Sequence, residues 1–441
     1  VARICLTLPT NRACAATIAA VHEEAAHAAA HFGAEVHFLI LDSAAPGDRA
    51  GHAAAVAGLP PVPGVVVHHL DEAEQGAFLA AVLRRARVTG ARRLLGLLLP
   101  GTVSYGACTD RAFLLAAALG CGSVHRRDSD SRYQTAAGRP VFPVHHELAT
   151  LGRPAADAAR RVDADALNPL HAHKPVSLVG ASFVGEMSVD IAAIHDLDPA
   201  VYHDVVSLWA PPHWPEERKR ALVEESFKGA GTEPFGGDHA VLGAVDPMRV
   251  DMCNVAFHRG VYEAVPLPPA TDTIGSDYFL LHLVHAATLP GVLHNRHIVN
   301  YHTDERKTAA GFTAYQLRFA KFLLSMRYFN HLYAELDAAG AALLDDRHRL
   351  RAAAVGELVA RSTRLDRDEN VMRLTALEIA YRKLGGKYAE FAAALAARGP
   401  ELLDQARRDM ADFALLIAAW EPLVRASAAT AVPGRRPGAA R

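Results

Sequence analysis

The first 130 residues alternate short apolar runs with longer segments of helical spacing. Arg3–Leu8 (R-I-C-L-T-L) predicts a buried strand closed by Pro9-Thr10-Asn11, and Ala13–Phe32 an Ala-rich helix with Ile18, Val21, Ala25 and Ala28 near helical spacing. Val36–Leu41 predicts a second strand ending at Asp42-Ser43, Val65–Leu70 a third, Ala77–Arg87 a helix, and Arg93–Leu98 a strand ending at Pro100-Gly101. Thr109–Leu119 reads as a helix and Ser123–Arg126 as the start of a strand. Strands separated by helices imply a parallel sheet with helices on both faces. Ligands bind such sheets beyond the C-terminal strand ends, where Pro9-Thr10-Asn11, Asp42 and the residues after Val124 lie.

From about residue 134 to 305 the pattern is less regular and richer in Pro, Gly and His. Its clearest strands are Val176–Phe183, Asn254–Phe257 and His297–Tyr301. Its clearest helix is Pro215–Phe227, with Pro at the first position and two Glu in the first turn. Beyond about 307 the chain reads as helical. Phe312, Tyr315, Phe319, Phe322, Met326 and Phe329 follow the three-and-four spacing of one buried face. Val371–Leu384 predicts a helix stopped by Gly385-Gly386. Gly399-Pro400 then interrupts the pattern, Glu401–Val424 resumes it, and the last 15 residues read as a disordered tail. These breaks divide the chain into 1–133, 134–306, 307–426 and 427–441.

Composition narrows the function classes. The 441 residues are 51% hydrophobic and 21% charged, enough for two or three cored units. Lys plus Arg (46) nearly cancels Asp plus Glu (48), which argues against a nucleic-acid-binding protein. The longest apolar runs, Leu94–Leu99 and Phe113–Leu119, fall short of the roughly 20 residues a bilayer span needs. A strand pattern at the very start leaves no secretory signal in view. Five cysteines with no C-x-x-C pair read as buried small hydrophobes, and a cytoplasmic location is expected. The 24 histidines reflect either metal chemistry or compositional bias.

The densest chemical signal is Ser104–Tyr133, where a helix carrying Arg111 ends at Gly120 and a short strand leads into Asp128-Ser129-Asp130. Two carboxylates one residue apart can share a hard divalent cation, which can bridge a diphosphate and neutralise the leaving charge. Asp163/Asp165, Asp196/Asp198 and Asp366/Asp368 have the same spacing. Only Asp128/Asp130 closes the strand–helix half at a ligand-facing end, and the others read as solvated turns.

The segments L-T-L-P-T-N-R, L-I-L-D-S and G-A-C-T-D-R…A-L-G-C-G-S-V-H-R-R-D-S-D stand in the order seen in nucleotide-sugar glycosyltransferases of the GT-A fold. Between residues 3 and 306 the chain resembles family-2-type members and their retaining relatives. The resemblance implies a GT-A-like (Rossmann-like) mixed sheet flanked by helices, followed here by a C-terminal all-α region. Residues 1–133 become the nucleotide-binding half and 134–306 the acceptor-binding half.

Carried over residue by residue, Pro9, Thr10, Asn11 and Asp42 would hold the nucleoside, and Arg111 and Asp128 would approach the diphosphate. Asp128 and Asp130 would bind Mn²⁺ or Mg²⁺, with His302, after the strand-like His297–Tyr301, completing a site better suited to Mn²⁺. Asp277 falls where inverting members carry the general base; it also suits a helix N-cap, as does Ser276. Arg306 could meet the diphosphate or cap the following helix, and His294, Arg296 and His297 could line the acceptor pocket. One departure stands out: His125-Arg126-Arg127 replaces the hydrophobic residues that usually precede the acidic pair.

Most other histidines (His68-His69, His145-His146, His171/His173, His282/His285) form no complete zinc pattern. Trp209 and Trp214 read as a packed loop or a sugar-stacking platform. The expected activity is metal-dependent, hexosyltransferase-type transfer from a nucleotide-diphosphate sugar to a small-molecule acceptor, for instance in specialised metabolism. A nucleotidyltransferase would call for a Gly-rich basic signature after the first strand, which L-P-T-N-R-A-C-A lacks. A noncatalytic nucleotide- or sugar-binding protein is the third reading. The aromatic stripe beyond 307 is expected to pack on the core, or to mediate a homodimer.

Overall fold

The computed structural model describes residues 1–301 and 308–433. Strands β1 (Arg3–Thr10), β2 (Glu35–Asp42) and β3 (Val65–Asp71) pair in parallel, and β4 (Ser123–Arg126) lies parallel against the other edge of β1. β1 and β2 are buried on both faces, which is why their sequences read as continuous apolar runs. Between the strands run α1 (Ala15–Phe32), α2 (Pro46–Ala57), α3 (Glu72–Ala86), α4 (Ala91–Leu98) and α5 (Tyr105–Leu119). Local chemistry fixes several boundaries. Asp71 and Glu74 form a capping box at α3, the Ser104 hydroxyl accepts from Ala107 N–H at α5, and α1 ends at Gly33 in the left-handed region.

Past β4 the sheet continues through Val255–His258, Leu178–Gly180, Gly291–His294, Ala240–Gly243 and Ala164–Asp165. Val255–His258 runs antiparallel to β4, so the nine-stranded sheet is mixed. A separate three-stranded sheet joins Phe183–Gly185, Ile298–Asn300 and Ser131–Tyr133 behind the Asp128–Asp130 turn. The α/β fold with flanking helices and a helical C-terminal region is therefore the architecture observed.

Several local readings are corrected. Arg93–Leu98 is part of helix α4, not a strand: Leu94 and Leu98, one turn apart, are buried while Arg92 and Arg93 are exposed, and a run this short fits either period. Helix α2 was not foreseen, because in its Ala/Gly-rich sequence only His52 is buried. The expected strand 176–183 is divided between the two sheets. Gly399-Pro400 does not end the last helix, which is continuous over Gly386–Ala428. Gly399 packs so tightly on Leu374 that a Cβ would lie 2.6 Å from its side chain. The packed face outweighs the one backbone bond that Pro400 removes. That helix also takes in the start of the expected tail, with Ser427 buried; residues 434–441 lie outside the described set.

The helices Ala309–Ala339, Ala352–Ser362, Asp368–Leu384 and Gly386–Ala428 share one hydrophobic cluster with α3, α5, Val255–His258 and Phe279–Ala286. Polar ties reinforce it. Trp420, fully buried, donates to the Tyr262 carbonyl at 3.0 Å, and Lys321 pairs with Asp409 at 2.8 Å. Among the described residues no helix is long and apolar enough to cross a membrane.

Candidate active site

A cavity of about 440 Å³ opens at the C-terminal ends of β1, β2, β3 and β4. On its first side stand Pro9, Thr10, Asn11, Arg12, Ser43, Glu72 and the α5 residues Tyr105, Cys108 and Arg111. Arg111 is held from below: its Nε donates to Gln75 at 2.7 Å and one Nη to the Leu98 carbonyl at 2.6 Å. Burial pulls its pKa down from the ordinary arginine value.

The centre of the cavity is charged. Arg126, at the end of β4 and almost fully buried, donates to Asp277 at 2.6 Å and pairs with Asp128 at 3.1 Å. Arg12 pairs with Asp130 at 3.0 Å. The turn between the two aspartates is anchored by Thr17 of α1, whose hydroxyl donates to the Ser129 carbonyl, and by Ser131, whose hydroxyl accepts from Asp128 N–H. Burial pushes the Asp128 carboxyl up to about 6; Arg126 opposes this, and Asp130, Asp251 and Asp277 add to it. Among the described residues, four carboxylates (Asp128, Asp130, Asp251, Asp277) and two guanidinium groups (Arg12, Arg126) meet here, with Arg111 and Arg318 also on the cavity wall. The all-oxygen donor set suits a divalent cation.

Asp251 escaped the sequence reading. It sits in an irregular loop, accepts from the Tyr278 hydroxyl at 2.5 Å and from Cys253 N–H at 2.9 Å, and lines the cavity. Nothing in its local sequence marks it; only the position just ahead of a strand could have drawn attention. The other three D-x-D pairs do separate from the site as expected. Asp163 and Asp165 accept backbone N–H groups from Ala240 and Leu167, Asp198 caps a helix, and Asp366 accepts from Asp368 N–H; none lines the cavity.

The substitution of His125-Arg126-Arg127 for an apolar stretch has a structural reason. Side chains alternate along the strand, so Arg126 faces the cavity while Ser123, His125 and Arg127 face the layer beneath. There Arg127, fully buried, donates to Glu24 at 2.8–2.9 Å and to Glu147 at 2.9–3.1 Å. His125 bonds Glu147 at 2.7 Å, and the Tyr133 hydroxyl and Val144 N–H complete Glu24.

Asp42 is placed differently from a direct nucleoside contact. Its neighbours Leu41 and Ser43 line the cavity, while its own carboxylate is fully buried and bonded to His52 (2.8 Å), His69 (2.7 Å) and Ala44 N–H (2.9 Å). Burial would raise its pKa, but these bonds more than offset that and hold it below the usual carboxylate value. Asp42, His52 and His69 are, among the described residues, the one His/Cys/Asp/Glu group compact enough to share an ion without movement, with ligand atoms within 4.8 Å. The contacts describe a hydrogen-bonded triad: Cys14 N–H donates to His52 Nε2 at 3.0 Å, which leaves the proton on Nδ1, facing Asp42. His69 thus braces Asp42 behind the Leu41 and Ser43 wall of the cavity.

Asp277 precedes the helix Phe279–Ala286 but makes no capping bond; its carboxylate turns to Arg126 and the cavity. His294 and Arg296 do not line the cavity. The strand Gly291–His294 carries His294 into a buried stack on His146, and Arg296 is engaged by Asp238 at 2.6–2.8 Å. His297, half-buried just ahead of the strand Ile298–Asn300, is likewise absent from the cavity wall. His302 and Arg306 lie outside the described residues.

The far side of the cavity is aromatic. Trp209 stacks on Phe227 at 5.2 Å between ring centroids, and Phe322 of the Ala309–Ala339 helix meets both edge-on. Phe227 has φ +65°, a left-handed conformation rare for a bulky residue and costing roughly 1–3 kcal/mol, so the surrounding packing must hold it. Gly275, at φ +72°, lets the loop carrying Asp277 approach the same ring, since a Cβ there would lie 2.7 Å from Phe322. The aromatic stripe therefore both packs and lines the site, and Trp209 belongs to the wall; Trp214 is covered by the Arg218 guanidinium instead.

A family profile described as a family of unknown function (DUF6271) matches residues 2–436. No curated protein matches the chain. Among solved structures it is similar to a mannosyltransferase, PcManGT from Pyrobaculum calidifontis in complex with GDP-Man and Mn²⁺. The identity is 12%, covering 95% of this chain and 85% of that one, with a TM-score of 0.30, too loose a likeness to argue from.

Proposed function

The chain belongs to this family of unknown function, and we propose that it is a metal-dependent glycosyltransferase moving a sugar from a nucleotide-diphosphate donor to a small-molecule acceptor. The observation that carries the reading is the cluster of Asp128, Asp130, Asp251 and Asp277 with Arg12 and Arg126 at the strand ends, between the Pro9–Arg12 side of the cavity and its aromatic side. A divalent cation held by Asp128 and Asp130, with Asp251 nearby, would supply charge neutralisation for the leaving diphosphate.

The chain's own residues supply the rest. Thr10, Asn11 and Ser43 offer hydrogen-bonding groups to a nucleoside, with Asp42 bracing the floor. Arg12 and Arg111 stand where a diphosphate would follow. Arg126 donates to Asp277 and orients it toward the acceptor side, placed to take the acceptor's hydroxyl proton. The acceptor oxygen bonds to the anomeric carbon, the bond from that carbon to the diphosphate breaks, and the diphosphate leaves with the electron pair.

The test is thermal denaturation with a panel of nucleoside diphosphates and nucleotide sugars, each with and without Mn²⁺. Stabilisation by at least one of them, larger with Mn²⁺ and lost in Asp128→Asn, is expected. A panel without any Mn²⁺-dependent shift would count against the reading.

A further inference from the structure

The acceptor side of the cavity is built for a flat apolar molecule, and we propose that the acceptor is an aromatic alcohol or phenol, stacked in the Trp209–Phe227–Phe322 corner with its hydroxyl toward Asp277. This rests on the glycosyl-transfer reading for its chemistry, but its binding component stands independently. The three rings come from separate parts of the chain: the loop after residues 199–207, the loop after residues 216–225, and the long helix Ala309–Ala339. Their centroids lie 5.2 to 6.4 Å apart, and each lines the cavity.

Backbone strain at Phe227 directs one of them. The following turn passes so close to Phe183 that only a glycine fits at Gly229, where a Cβ would meet the Phe183 carbonyl oxygen at 2.5 Å. Met252 and Met326 fill out the same wall with adaptable thioethers, which suit planar apolar ligands of varied outline.

A sugar acceptor would need hydrogen-bonding groups along the ring it stacks on. The three rings offer one such group between them, the Trp209 indole N–H; Ser188, Tyr315, Arg318, Asp277 and Tyr278 line the cavity elsewhere. The His282 imidazole lies on the Tyr333 ring at 3.7 Å and is kept neutral by burial. Three ring faces with so few polar groups on them suit a flat body carrying one hydroxyl.

Titration calorimetry of the full chain with 2-naphthol, and separately with glucose, tests this without a donor. Binding of 2-naphthol and not of glucose is expected, weakened about tenfold in both Trp209→Leu and Phe322→Leu; these substitutions keep an apolar side chain, and circular dichroism would verify folding. In turnover with a donor found by thermal shift, the naphthol KM should rise by a similar factor while the donor KM moves less than about twofold. Glucose binding in preference to 2-naphthol, or naphthol affinity indifferent to both substitutions, would overturn the proposal. Naphthol binding in a chain that binds no nucleotide would support the pocket and instead remove the transfer reading.

Discussion

Arg126 donates to the Asp277 carboxylate at 2.6 Å across 151 positions of sequence, and its other Nη reaches Asp128. One guanidinium thus joins the strand end of the first half to the loop that opens the helix Phe279–Ala286. Replacing it by methionine leaves buried Asp277 and half-buried Asp128 without their partner. Arg126→Met should lower kcat/KM by about a hundredfold and cost about 3–5 kcal/mol in a urea melt. Arg126→Lys, which keeps the charge without the two-pronged geometry, should fall between. Equal rates in all three proteins would exclude the arginine from the site's working geometry.

Asp251 brings the fourth carboxylate without any sequence motif. Asp251→Asn should weaken Mn²⁺ binding about tenfold, as read by calorimetry, whereas Asp196→Asn, an exposed position off the cavity, should leave it alone. Parallel effects in both variants would argue for a diffuse electrostatic cause.

The layer beneath β4 predicts an acid limb. Burial alone would raise the Glu147 pKa, but Arg127 and His125 outweigh it and bring it from 4.5 down to about 2. A depressed carboxylate stabilises the fold above its unfolded pKa, and that contribution fades as pH falls from about 4.5 toward 2. It amounts to about 3 kcal/mol when complete. Denaturant melts between pH 5 and 2.5 should fall steeply in the native chain and flatten in Glu147→Gln. An identical slope in the two would locate the acid sensitivity elsewhere.

Gly275 couples the chemistry to the C-terminal helices. Gly275→Ala must strain a left-handed residue and push Phe322 aside, costing about 1–3 kcal/mol. It should also displace the loop bearing Asp277, so turnover ought to drop more than the melting temperature suggests. A variant with native turnover would sever that coupling.

Much of this was legible before the fold was known, for a physical reason. β1 and β2 are buried on both faces, so their runs announce themselves. Helices α3 and α5 instead begin at Glu72 and Tyr105, ahead of the expected Ala77 and Thr109, at the caps Asp71 and Ser104 that the apolar spacing does not mark. Asp128 stands at a strand end that topology makes important. Pairings across distant segments were not legible: Arg126 with Asp277, or Trp209 with Phe227 and Phe322. Arg93–Leu98 is ambiguous because six residues cannot distinguish period 2 from period 3.6. Pro400 misled because its local cost is visible in sequence and the packing that outweighs it is not. Asp277 does stand beside the cavity, but His294 and Arg296 do not, because their neighbours, His146 and Asp238, come from segments far away in sequence.

The alternation at His125-Arg126-Arg127 makes β4 a partition between two compartments. Behind it, Glu24 and Glu147 have their oxygens bonded within a sealed network; in front, Arg126 meets Asp128 and Asp277 on the open cavity. Exchanging a residue on the open face changes what the cavity can hold, while the sealed face keeps the scaffold folded.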